Sequence, residues 1–142
     1  MRKAMGLAAA VCCFAVLGAV RGGDAKKEAE KLQGTWKVIR FELGGSERPP
    51  QKEVAVSQGD KLTFKPIWDV WTYKLDPSSL PKAIDLIPAS GADKGRVWPG
   101  IYEFDGERLK ICYIPQVDAK RPPRLETKRG ELQRLFLLER VK

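Results

Sequence analysis

Histidine is absent from this 142-residue chain. That removes the commonest side-chain general acid–base and the usual catalytic zinc ligand sets. Cysteine is almost absent too: Cys12 and Cys13 lie in an apolar N-terminal stretch, and Cys112 stands alone in the rest of the chain. A lone thiol forms no internal disulfide, and without a local His or Cys partner it is neither a metal pair nor an activated nucleophile. A glycine-rich phosphate loop is missing, because Gly91, Gly95 and Gly100 lack both the spacing and a following Lys-Ser/Thr pair. Ser57, Ser78, Ser79 and Ser90 sit in turn-like sequence with no G-x-S-x-G context. The longest uncharged N-terminal run, Ala4–Val20, has 17 residues and mixes Ala and Gly with its Leu and Val, short for a stable membrane span.

What is present describes a folded domain: 43% hydrophobic and 31% charged residues, in a length that suits one core. Met1-Arg2-Lys3 is a basic start, Ala4–Val20 an apolar segment, and Arg21-Gly22-Gly23-Asp24 a small-residue exit. This is the pattern of a secretory signal peptide, with cleavage expected between Gly18 and Gly23 and an uncleaved anchor as the competing reading. Cys12 and Cys13 lack the Leu-small-small-Cys approach of a lipoprotein site. The expectation is therefore a signal peptide over 1–23, a single domain over 24–142 with no membrane span of its own, and a periplasmic or secreted location. Removing 1–23 takes three basic residues and lowers the formal charge from +8 to +5. Of that, residues 118–142 carry +4, which suits a solvated strand face and a basic loop rather than a nucleic-acid stripe.

Gly34–Leu43, GTWKVIRFEL, is the segment around which the others are arranged. Its β-branched and aromatic residues predict a strand with a buried face, closed at one end by Trp36. Before it, DAKKEAEKLQ (24–33) predicts a short helix with Ala25, Ala29 and Leu32 on one face and Gly34 as its stop. After the Gly44-Gly45-Ser46 turn, 53–57 and 61–65 predict a hairpin across Gln58-Gly59-Asp60, pairing Val56 with Leu62 and Val54 with Phe64. Residues 68–75 read as a strand with Trp71, Tyr73 and Leu75 in phase, ending at the Asp76-Pro77-Ser78-Ser79 turn. Residues 82–87, bracketed by Pro81 and Pro88, read as an edge-like or short strand. In GIYEFDGERLKICY (100–113), Asp105-Gly106 predicts a type I′ hairpin. That register opposes Tyr102 to Leu109 and puts Leu109, Ile111 and Tyr113 inside, with Cys112 on the exposed face. Residues 116–130 read as a loop with room for a short strand near Arg124–Thr127. Residues 132–141 fit either helix or strand, and we choose strand because the first strand needs a closing partner. About eight antiparallel strands follow, expected as an up-and-down barrel with a two-layer sandwich as the alternative.

Several of these stretches together, LQGTWKV (32–38), YKLDPSSLPKAIDL (73–86), GIYEFDGERLKICY (100–113) and Arg121-Pro122, closely resemble a family of uncharacterised exported domains of planctomycete bacteria. The resemblance covers roughly residues 30–142 and implies export but no activity. After Pro122 this chain reads PRLE where that family carries a small polar residue and a Phe. A second resemblance is to lipocalin-like barrels, which open with a short helix and Gly-x-Trp and pack an Arg of the last strand over the Trp ring. Gly34, Trp36 and Arg140 (or Arg134) would fill those structural places.

No catalytic residue or metal set stands out, and no cofactor is implied. Asp69, Asp76 and Asp85 are the carboxylates that would serve a hard cation or acid–base work if they converged. Trp68 and Trp98 lie at strand ends, where aromatic rings rim a barrel mouth; with Trp71 and Tyr73 they are the ligand or interaction candidates. The function expected is a non-catalytic, exported, monomeric binding or interaction domain for a small apolar ligand or an envelope protein. The alternative is a carboxylate-dependent hydrolase or cation-binding enzyme.

Overall fold

The computed structural model describes residues 24–49, 52–66 and 69–142. The signal-peptide expectation falls on residues 1–23 and the Trp68 candidate on residue 68, both outside the described residues. Residues 24–32 form a helix, α1. Nine strands follow among the described residues: β1 (Gly34–Leu43), β2 (Ser46–Arg48), β3 (Val54–Gln58), β4 (Lys61–Lys65), β5 (Asp69–Asp76), β6 (Ala83–Pro88), β7 (Trp98–Asp105), β8 (Arg108–Tyr113) and β9 (Arg134–Arg140). Each of β3 to β9 pairs antiparallel with its sequence neighbour, and β9 returns to β1, which also pairs with β3. Eight strands thus close an up-and-down barrel without a free edge, while β2 is a short hairpin arm on the far half of β1.

The closing strand is the one whose sequence was ambiguous. Residues 134–140 are extended because Leu138 and Phe136 face the interior between β8 and β1, burying them almost completely. Helix propensity loses to this burial.

At one end α1 plugs the barrel. Leu32 is 1% exposed, and its carbonyl accepts a 2.8 Å bond from the Trp36 indole. Gly34, with φ of 118°, turns the chain from helix into strand, and a Cβ there would lie 3.1 Å from Arg140 Nη1. That guanidinium donates to the carbonyls of Gln33 (2.8 Å) and Lys31 and lies 4.3 Å over the Trp36 ring. It satisfies carbonyls that the end of a helix leaves without partners, and as a cation it suits that end of the dipole. Gly34, Trp36 and Arg140 therefore interlock at the plugged end of the barrel.

Two registers and one strand position differ from the sequence expectation. The β3–β4 turn contains two residues, Gly59-Asp60, so Ala55 opposes Phe64 and Ser57 opposes Leu62. Ala55 and Ser57 point inward, and Val54 and Val56 do not. The cause is a clamp on Gly59: its N–H donates to Gln33 Oε1 (2.8 Å), and its carbonyl accepts from Gln33 Nε2 and the Tyr73 hydroxyl (both 2.8 Å). The small inward side chains also leave room for Trp36, which is paired with Ala55. In the β7–β8 hairpin the turn residues are Gly106-Glu107, with Gly106 at φ 59° and Asp105 paired to Arg108. Glycine in the first turn position gives the II′ pattern rather than I′. Tyr102 consequently opposes Ile111, two residues beyond the expected partner, so Leu109, Ile111 and Tyr113 still face inward as expected. Finally, β6 is short, six residues, as one reading of its sequence has it, but it is an interior stave between β5 and β7 and not an edge; Pro88 is its last residue and Pro81 lies outside it.

Outside the barrel, residues 114–133 form a loop without a strand near Arg124–Thr127. Arg121 ties it down: Nη1 donates to the carbonyls of Ile84 (3.0 Å) and Gly100 (2.9 Å), and Nη2 pairs with Asp85 at 2.8 Å. Cys112 does occupy the outer face, yet it is fully buried, because this loop covers it with Leu125 and the Glu126 carbonyl.

Two outcomes follow. Arg140→Ala loses two carbonyl bonds and the ring contact, and urea unfolding should register a loss of about 2–4 kcal/mol. Gly100→Ala would put a Cβ 2.9 Å from the Cys112 carbonyl oxygen and 3.0 Å from Tyr113 Cβ. Its expected cost by the same measurement is about 1–3 kcal/mol, from overpacking.

Candidate functional site

The end opposite α1 is the mouth. It is built from the last residues of β1, β4, β6 and β8 and the first of β3, β5, β7 and β9. A cavity of about 170 Å³ opens there. Its apolar wall is made of rings: Phe41, Phe64, Trp71, Tyr113 and Phe136. They hold one another in place: Phe41 and Phe64 lie 4.8 and 5.0 Å from Phe136, and Trp71 meets Tyr113 edge-on at 5.2 Å. Between this wall and the plug the interior is filled with side chains, including Trp36, Leu62, Leu86, Leu109 and Leu138.

Phe41 reaches the cavity through an irregularity in β1. The pairing with β9 shifts between Val38 and Arg40, making Ile39 an extra residue. Trp36 and Val38 face inward before the bulge, and Phe41 joins them after it, opposite Phe136.

Three charged side chains share the cavity: Glu53, Asp69 and Arg134. Glu53, just before β3, is in phase with the inward Ala55 and Ser57, Asp69 with Trp71 and Tyr73, and Arg134 with Phe136 and Leu138. Among the described residues no ion pair joins Arg134 to either carboxylate. Tyr113 lies where their influences meet. Burial drives its hydroxyl pKa far above the usual phenol value, Arg134 pulls it back down by charge and hydrogen bonding, and Asp69 pushes it up. Two inward-facing nitrogens, Trp71 Nε1 and Arg134 Nε, are buried and make no hydrogen bond, an arrangement that is uncommon in a folded interior.

The candidates from sequence separate. Trp71 lines the cavity. Trp98 stands at the mouth end of β7, half-buried, stacked 6.1 Å from Tyr113, with its indole donating to Asp93 at 2.9 Å. Tyr73 is at the opposite end, bonded to Ser57, Gln33 and Gly59, and belongs to the plug. Nor do the three aspartates converge: Asp69 and Asp76 begin and end the eight-residue β5, and Asp85 is on the outer face with Arg121. Among the described residues no group of three or more potential metal ligands exists.

Sequence reasoning missed Glu53, Asp69 and Arg134. Asp69 and Arg134 were readable by phase, two residues before Trp71 and Phe136. Glu53 was hidden by the mistaken hairpin register. Glu28 was missed as well. It lies on the helix face with Ala25, Ala29 and Leu32, 6% exposed, where it pairs with Lys82 and accepts from the Tyr102 hydroxyl at 3.3 Å.

No protein-family model, curated protein or solved structure matches this chain. No helix among the described residues is long and apolar enough to cross a membrane.

Burial pushes the Cys112 thiol up to about 11 from 9.0. Because the raised value belongs to the folded state, ionisation favours unfolding. Cys112 therefore contributes its full stability below pH 9.0 and loses it as pH rises towards about 11. The raised tyrosines act in the same direction. Urea midpoints measured across that window should fall with pH. At pH 8 the thiol should resist iodoacetamide until urea unfolds the chain; rapid alkylation of the folded protein would contradict the burial.

Proposed function

We propose that this chain is an exported, non-catalytic binding domain whose small ligand enters the mouth of the barrel. The observation that carries this reading is the mouth itself: a cavity of about 170 Å³ walled by five rings, at the end of the barrel that α1 leaves unplugged. A concave, mainly apolar site with a few convergent polar groups is the usual form of a small-molecule site. The volume suits a compound of about one ring, since an engineered cavity of about 150 Å³ accommodates benzene. Export is supported by the basic-apolar-small pattern of residues 1–23 and by the resemblance to exported planctomycete domains.

A small molecule is favoured over an envelope protein because the rings line a concavity rather than an exposed patch. Among the described residues the exposed large apolar side chains, Leu80, Val97, Leu132 and Val141, are single and come from separate segments. The carboxylate-enzyme alternative retains one supporting observation, that Glu53 and Asp69 share the cavity.

Native mass spectrometry of protein purified from its own host should reveal a retained small molecule. The Phe41→Trp variant, which enlarges a wall residue, should lose it. An empty wild type whose mouth tryptophans respond to no compound in a fragment screen would end the binding reading. Turnover of any compound that stops in Glu53→Gln and Asp69→Asn would favour the enzyme.

A further inference from the structure

Two charges of opposite sign face the mouth from opposite sides of the barrel. Asp69 opens β5 and Arg134 opens β9; in the closed order β1-β3-β4-β5-β6-β7-β8-β9 these two strands are separated by three staves in either direction. Glu53 lies on the flank between them, just before β3. The cavity thus has a guanidinium on one wall, the Asp69 carboxylate on the opposite wall, the Glu53 carboxylate on the flank between them, and a lining of rings.

These charges do not pair with one another, although both Asp69 and Arg134 act on the same Tyr113 hydroxyl. All three are half-buried and keep water as a partner, but a molecule that fills the cavity displaces that water and must supply partners of both signs in its place. An anion alone would satisfy Arg134 and be repelled by two carboxylates. A simple cation would satisfy Asp69 and Glu53 and be repelled by Arg134. A neutral apolar compound would bury all three without partners.

We infer that the mouth cavity takes a small zwitterion with an apolar body, of the size and chemistry of one free α-amino acid. Its carboxylate faces the Arg134 guanidinium, whose planar fork matches a carboxylate. Its ammonium faces Asp69 and Glu53, close to the Trp71 ring, which offers cation–π attraction. Its side chain rests on Phe41, Phe64 and Phe136. This assignment rests on the mouth-binding reading and narrows its ligand class.

Isothermal titration and tryptophan fluorescence of the mature protein, with a panel of matched probes, test the inference. L-leucine and L-phenylalanine carry both charges; 3-phenylpropionate lacks the amine, phenethylamine lacks the carboxylate, and indole lacks both. At least one of the two amino acids should bind roughly tenfold or more tighter than every single-charge probe and than indole. Arg134→Gln should abolish the preference for L-phenylalanine over phenethylamine and leave that over 3-phenylpropionate, while Asp69→Asn should do the reverse. If either variant fails to fold, the wild-type comparison among probes decides alone. Indole or a single-charge probe binding as tightly as the amino acids would overturn the zwitterion and leave the mouth-binding reading intact. Silence from the whole panel also overturns the zwitterion, and the mouth-binding reading then depends on the molecule retained from the host.

Discussion

The guanidinium of Arg140 holds the closed end together. It joins the last strand to the end of the helix through the Gln33 and Lys31 carbonyls, and it covers Trp36, the largest fully buried side chain among the described residues. The indole in turn bonds to the helix at Leu32. Three segments distant in the chain are thereby fastened at one point. The contact is strong because a buried ring face and otherwise unpartnered helix carbonyls are offered to the same cation. Tightness at this end leaves the opposite end as the part of the interior that side chains do not fill.

The mouth is organised on a different principle. Its rings pack against one another, so their positions do not depend on anything bound, and a cavity built this way is largely preformed. The polar groups are the exception. Trp71 Nε1 and Arg134 Nε are donors without acceptors in the midst of a core in which nearly every other buried polar atom is satisfied. Departures from good packing rules concentrate where a fold does something other than fold.

Much of the architecture was legible from alternation. Trp71 and Tyr73, and Leu109, Ile111 and Tyr113, announce their inward phase without help from the rest of the chain. Turns that depend on tertiary clamps were less legible: nothing local says that Gln33 and Tyr73 seize Gly59 and shorten the β3–β4 loop. The burial of Cys112 was illegible for a similar reason, since it comes from a loop docked by Arg121 onto carbonyls of β6 and β7. The site lay between these cases. Phase alone would have put Asp69 and Arg134 inside, but a strand read for its apolar residues does not draw attention to the charge at its end. The bulge at Ile39, which turns Phe41 inward, is set by pairing with β9 and has no local signal.

The pairing of β1 with β9 has a consequence for biosynthesis. The first strand of the barrel has as its neighbour the last one, so one flank of β1 must wait until the chain has been made through β9. Until then the sheet is an open ribbon with two unsatisfied margins, a form prone to pair with other chains. The seam between β1 and β9 is therefore the last margin of the barrel to be covered, and its closure ends that vulnerable interval.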